Sequence, residues 1–351
     1  MVVSSRIRIL QTLARRKGAS GTTLAERLGV SRQAINRQLR ILIREGLVIK
    51  QGVTQGSTYS LARRGTAGPE ERVARRTLDL RAIAEDRVFG SLAEELQLHA
   101  MLCDRALAIM RYAFTEMLNN AIDHSRARRG AVEMSLGAYD CAFTVRDFGI
   151  GVFNSIQSKL HLDDEATAMA ELLKGKTTTM PEKHSGEGLF FTSRAADRLR
   201  IRSHRIQVTF DNRIKDTHVE EGRFLKGTDV RFAISRRSRR DLASLFHTYS
   251  PEEYGYEFQR TRILVHLHLS DYVSRSEAKR LMIGLEKFKE IILDLRKVKS
   301  IGQGFADEVF RVFPREHAGI AVRPENMSPV VEQMIRHVMG NRSNRQPAVR
   351  T

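Results

Sequence analysis

Three stretches near the start of the chain carry apolar side chains at helical spacing. Over residues 5–16, Ile9, Leu10 and Leu13 share one face, which predicts a helix. Thr22 or Thr23 is placed to cap a second helix over 24–28, and Gly29 ends it. Ser31 caps a third that runs to about residue 45, where Gly46 stops it. Along this third helix Ile35, Leu39 and Leu42 face inward, while Arg32, Gln33, Asn36, Arg37 and Arg40 fall on the other side. Two alternating runs follow, at 47–50 and 58–61, and the glycine-bounded loop 52–56 joins them as a hairpin.

The pattern then changes. A long helix is predicted over 104–124, with Glu116 and Asn120 one turn apart on one face. A strand over 142–146 ends in Asp147-Phe-Gly149-Ile-Gly151. Further on, Ser185-Gly186-Glu-Gly188-Leu189 opens a helix through 196, and Gly227-Thr228 precedes an alternating strand over 229–234. From there strands at 263–269, 290–295 and 319–322 alternate with helices at 274–289, from 305, and at 328–339. That order predicts a separate α/β unit. The chain therefore reads as a multidomain α/β protein, with domains at 1–67, 85–235 and 256–340. A helical linker (68–84), a basic linker (236–255) and a basic tail (341–351) complete the division.

Composition sharpens part of this. The chain has 351 residues and a formal net charge of +18. About two thirds of the positive excess lies before residue 77, on the three-helix unit and just after it. Arg, Gln and Asn at the start of a helix carry the donor geometry that matches guanine and adenine edges. No apolar run approaches the ~18 residues of a membrane span. Cys103 and Cys141 form no C-x-x-C, and the cytoplasm is the expected compartment.

In the middle region, an amide oxygen at Asn120 suits Mg²⁺, and a carboxylate at Glu116 suits orienting or deprotonating a water or hydroxyl. Asp147 at a strand end can accept a hydrogen bond from an adenine amino group, with Gly149 and Gly151 letting the backbone turn beside the base. Gly186 and Gly188, feeding a helix N-terminus, can offer N–H groups to phosphates. A P-loop sequence is absent.

Taken in order, these three motifs resemble the N, G1 and G2 boxes of the gyrase–chaperone–histidine-kinase–MutL superfamily. The resemblance implies a Bergerat-type α/β sandwich with a mixed sheet, binding ATP with Mg²⁺ under a lid at about 153–184. It implies Glu116 as the catalytic carboxylate and Asn120 as the Mg²⁺ ligand. Asp147, Gly149, Gly151, Gly186, Gly188, Leu189 and Thr228 become nucleotide-binding candidates, and Lys176 a candidate phosphate contact.

The first unit resembles the winged-helix domains of bacterial transcription regulators, which implies double-stranded DNA as a partner and Arg32, Gln33, Asn36, Arg37 and Arg40 as the reading face. The run Ile291-Ile-Leu-Asp294 through Gly304-Phe-Ala-Asp307 resembles STAS-type domains, the fold of anti-sigma-factor antagonists, and implies a protein partner. Where those antagonists carry a phosphorylated Ser, this chain has Gln303-Gly304.

Three functions compete. The first is an ATP-responsive DNA-binding regulator, and the second a serine kinase of the anti-sigma type acting on a separate protein. A sensor histidine kinase is disfavoured, because His99 is followed by Ala100-Met-Leu, with no acidic residue. An ATP-driven DNA clamp, the third, is disfavoured because the region after Ile234 reads as STAS-like. A homodimer is left open.

Overall fold

The computed structural model describes residues 5–14, 18–44, 47–51, 57–61, 72–177, 186–268 and 272–340. The hairpin loop 52–56, the end of the lid and the basic tail lie outside the described residues.

The first domain comprises α1 (Ser5–Ala14), β1 (Ala19–Ser20), α2 (Gly21–Leu28), α3 (Arg32–Arg44), β2 (Val48–Gln51) and β3 (Thr58–Leu61). Ile9, Leu13, Leu24, Ile35, Leu39 and Leu42 form its core, as the periodicity predicts. β2 and β3 make the antiparallel hairpin, with Val48 opposite Leu61, and β1 adds to its edge. One cap differs from expectation. Ser20, not Thr22 or Thr23, opens α2, its hydroxyl accepting from the Thr23 amide at 3.1 Å. Ser31 caps α3 by accepting from the Ala34 amide at 3.2 Å, and Gly29 ends α2 at φ +64.

The middle domain runs β4 (Arg72–Asp79), α4 (Glu85–Glu95), α5 (Leu98–Met101), α6 (Asp104–His124), β5 (Arg129–Leu136), β6 (Asp140–Asp147), α7 (Val152–Leu160), α8 (Glu165–Lys174), α9 (Gly188–Ala195), β7 (Arg198–Asp211) and β8 (Asp216–Ser235). The strands form one sheet in the order β4-β5-β6-β8-β7. Every neighbouring pair is antiparallel, so the expected mixed sheet is corrected. The reason is topological: the chain returns from the helices as a β7–β8 hairpin, and β8 inserts beside β6 running against it. The helical linker expected at 68–84 is corrected too. Arg72–Asp79 of it form β4, which pairs with β5 along its whole length. Only Ala74 and Leu78 of β4 are buried, so its apolar signal was too sparse to show a strand. Phe114 on α6 meets Phe143 edge-on at 5.3 Å, and Phe143 stacks on Phe232 at 5.0 Å, which fixes α6 across the sheet.

α10 (Leu242–Tyr249) leads into the last domain, which contains β9 (Arg260–Leu264), α11 (Arg275–Met282), β10 (Glu290–Asp294), α12 (Gln303–Asp307), a π-helical stretch Glu308–Val312, α13 (Phe313–Glu316), β11 (Ala321–Glu325) and α14 (Pro329–Gly340). Its three strands are parallel, with β10 central. A capping box between Ser274 and Glu277 starts α11, which is shorter than the helix expected at 274–289. The strand expected through residue 269 ends at Leu264, so His266 and His268 sit in and after a 3₁₀ turn instead of on a strand face. Burial, then the Lys174 ammonium, push the His268 imidazole down to about 3, so it remains neutral.

The stretch 236–255 is not a solvated linker. Arg236 donates to the carbonyl oxygens of Met101 at 3.0 Å and Ala138 at 3.1 Å, and α10 packs between the middle and last domains. Phe190 and Phe191 of α9 lie in the last domain's core, their ring centres 4.6 and 5.1 Å from that of Phe258. Phe191→Ala is therefore expected to cost about 3–5 kcal/mol. Thermal unfolding should show both domains losing stability together. A loss confined to one of them would refute the shared core.

Candidate functional site

A cavity of about 250 Å³ lies between α6, the sheet and the start of α9. One face of α6 supplies Glu116, Asn120 and His124, each a turn from the next. The end of β6 supplies Asp147, the start of α9 supplies Gly188 and Leu189, and β8 supplies Thr228. Gly186 lines it just before α9. Met117, Ile156, Leu172 and Ile201 make an apolar wall, the surface a flat aromatic base requires.

Asp147 is held rigidly. Its Oδ1 accepts from the Gly149 amide at 2.9 Å and the Thr228 amide at 3.2 Å. Burial raises its pKa above the usual carboxylate value, while these hydrogen bonds pull the other way. The Thr228 hydroxyl also accepts from the Val152 amide at 3.0 Å, tying β8 to the start of α7.

Gly149 and Gly151 do not line the cavity; they shape it from behind. A Cβ on Gly149 would stand 1.9 Å from the Ser125 carbonyl oxygen, because the strand-end turn rests on the end of α6. The Ile150 amide donates to that same oxygen at 3.0 Å. Gly188 has a different constraint: its Cβ would stand 1.8 Å from Glu116 Oε2, so the carboxylate packs directly against the first residue of α9.

Lys176 is not brought into the cavity. Its ammonium lies 5.1 Å from the centre of the Phe288 ring and 5.7 Å from that of Phe258, and donates to the Lys287 carbonyl at 3.4 Å. Burial lowers its pKa. Its neighbour Thr177 lines the cavity instead. The expected lid region is largely helical, since α7 and α8 occupy it as far as Lys174.

His124, Ser155, Thr177 and Glu187 line the cavity but were not among the candidates. The four-residue spacing after Asn120 was the available signal for His124. Glu187 sits between the two glycines of the Gly186-Glu-Gly188 motif, while Ser155 and Thr177 arrive through helix and loop placement, which no local pattern carries. Among the described residues no group of three His, Cys, Asp or Glu side chains could hold a metal by itself. The oxygen donors of Asn120 and Glu116 do fit a Mg²⁺ that takes its remaining ligands from phosphates and water.

On the first domain, α3 presents Arg32, Gln33, Arg37 and Arg40 as exposed side chains. Asn36 is half-buried, its Oδ1 facing the backbone of Gly21.

Comparison with known families agrees with this division. Residues 5–52 match the model of an HTH domain, 81–211 that of a histidine kinase-like ATPase domain, and 277–332 that of a STAS-like domain of unknown function. The chain carries these three domains in that order. None of the curated proteins compared matches it. The HTH domain points to DNA binding and the ATPase domain to ATP binding. Among the described residues of this HTH–ATPase–STAS-like chain, no helix is long and apolar enough to cross a membrane.

The two glycine contacts of the ATPase domain give contrasting expectations. Gly149→Ala meets backbone, so it should cost about 1–3 kcal/mol of stability and lower ATP affinity. Gly188→Ala meets only the end of a flexible side chain. It should keep the melting temperature and displace Glu116. Equal melting temperatures for the two variants would show that the turn does not rest on α6.

Proposed function

We propose that the chain is an ATP-binding, DNA-associated transcriptional regulator. Nucleotide binding or hydrolysis in the ATPase domain switches the contacts of the winged-helix and STAS-like domains. The observation that carries this reading is the position of α9. Its first residues line the cavity, and its Phe190 and Phe191 belong to the core of the STAS-like domain. A ligand that moves the start of α9 therefore changes the packing of the neighbouring domain. Such a switch needs unequal affinity for two packings and little catalysis.

The geometry of the cavity supports the following roles. The Asp147 carboxylate accepts from the adenine amino group, and the apolar wall takes the base. The N–H groups at Gly186, Gly188 and Leu189 face phosphates. Asn120 would contribute an oxygen to a bound Mg²⁺, which would supply neutralisation of phosphate charge. Glu116, beside the phosphate end, orients or deprotonates the attacking water or hydroxyl. Kinase action on a separate protein is less favoured, because α9 is already engaged by a domain of this chain.

Asp147→Asn replaces a charged acceptor, so ATP affinity should fall by about 1.5–3 kcal/mol. In the wild type the acceptor is lost on protonation. Because burial raises this pKa, calorimetric affinity should fall on acidification at a higher pH than an unperturbed Asp, with its pKa of 3.8, would give. Affinity unchanged by either would remove Asp147 from the site.

The regulator reading is tested by duplex binding of the full chain with and without Mg·ATP. A shift in DNA affinity is expected. Glu116→Ala should keep ATP binding and the shift on binding, while slowing any turnover by about 10²–10⁴-fold. ATP-dependent labelling of a partner protein with no change on DNA would support the kinase instead.

A further inference from the structure

The open face of the ATPase sheet carries a second basic surface. Along β8, Phe232 and Ile234 are buried toward the helices, so Arg231, Ala233 and Ser235 turn the other way. On β7, Leu199 and Ile201 face in, while Arg198 and Arg200 turn out. With the loop 237–240 they line a cleft of about 670 Å³. Tyr139, half exposed, stands at its edge.

The charges in this cleft are of two kinds. Arg200 pairs with Asp229, Arg213 with Asp211, and Arg240 with Asp197. Arg231, Arg237 and Arg239 are exposed, and among the described residues no ion pair or hydrogen bond engages their guanidinium groups. Paired arginines thus form the floor, and three uncompensated guanidinium groups remain above it. Asp140 is the other acid of the lining. Guanidinium groups gathered on one face, with an aromatic ring beside them, suit a phosphodiester backbone.

The cleft also lies where the chain arrives from the HTH domain. β4 begins at Arg72 opposite Leu136, just before the turn that holds Tyr139. β6 starts opposite the end of β8, with Asp140 facing Ser235. The entry of β4 and the cleft therefore share one end of the sheet, three strand spacings apart, or roughly 15 Å. Residues 62–71 connect the HTH hairpin to β4, a length that reaches at most about 35 Å.

We infer that this cleft holds the sugar–phosphate backbone of the duplex read by the HTH domain, as a second, sequence-independent contact. The inference rests on the DNA-binding reading of the first domain. It places one face of the ATPase domain on DNA and leaves the nucleotide cavity on the other face free.

The test measures duplex binding by the full chain across a salt series, using a labelled 30-bp DNA. Replacing Arg231, Arg237 and Arg239 together by Ala should make the log–log salt slope shallower by about 2–3, at about 0.9 per phosphate. The corresponding triple Lys variant should keep the slope. Both should bind Mg·ATP as the wild type does, which checks folding. Arg37→Ala should instead reduce preference for a selected site and change the slope by no more than about one. If the triple Ala variant keeps the wild-type slope while Arg37→Ala loses site preference, the cleft is not a DNA contact and the HTH reading stands. If the wild type binds no duplex at all, both fall.

Discussion

The arrangement depends on one short helix satisfying two cores. α9 presses Gly188 against the Glu116 carboxylate at its start and, within its first turn, buries Phe190 and Phe191 among Tyr249, Phe258 and Phe288. Eight helical residues span about 12 Å, so one short helix carries both a wall of the cavity and the aromatic joint. Close-packed interiors switch between packings more readily than they deform. In the proposed switch, a small displacement at the glycine-rich end would be absorbed in the STAS-like domain.

Polar contacts reinforce the same joint from the end of α8. Lys174 is buried, paired with Glu171, and donates to the Ile283 carbonyl at 2.8 Å. Thr261 donates its hydroxyl proton to the Lys174 carbonyl at 2.7 Å. Lys176 and Lys287 each donate to the other's backbone carbonyl. A buried ammonium is tolerated only when its donors are used, so the stretch before Thr177 is specified by the neighbouring domain as much as by its own sequence. Thr177 and the start of α9, which both line the cavity, thus adjoin stretches that are held by contacts from outside the ATPase domain.

Much of the site was legible because its parts are local. Glu116 and Asn120 share a face through helical spacing, and Asp147 ends a strand whose alternation is plain. Gly188 opens a helix that the glycine pattern announces. Lys176 lies outside the cavity lining for an equally physical reason. A cation in a polar stretch carries no sign of the two aromatic rings, more than eighty residues away, on which its ammonium settles. β4 was missed because an edge strand with Arg75 and Arg76 at its centre needs only Ala74 and Leu78 inward, and that signal is too thin to separate from a linker.

The sequence by itself determined the three units and their order, the exposed basic face of α3 and several of the residues that line the cavity between α6 and α9. Each of these follows from periods of two or 3.6 residues and from the backbone demands of glycine. Only the tertiary structure decided that the sheet is antiparallel throughout, that 236–255 is a packed joint, and that Phe190 and Phe191 serve the neighbouring domain. It also decided that Arg231, Arg237 and Arg239 gather beside paired arginines on one open face. Those outcomes depend on which surfaces meet across long stretches of chain, and a one-dimensional pattern records that a side chain will be buried without recording against what.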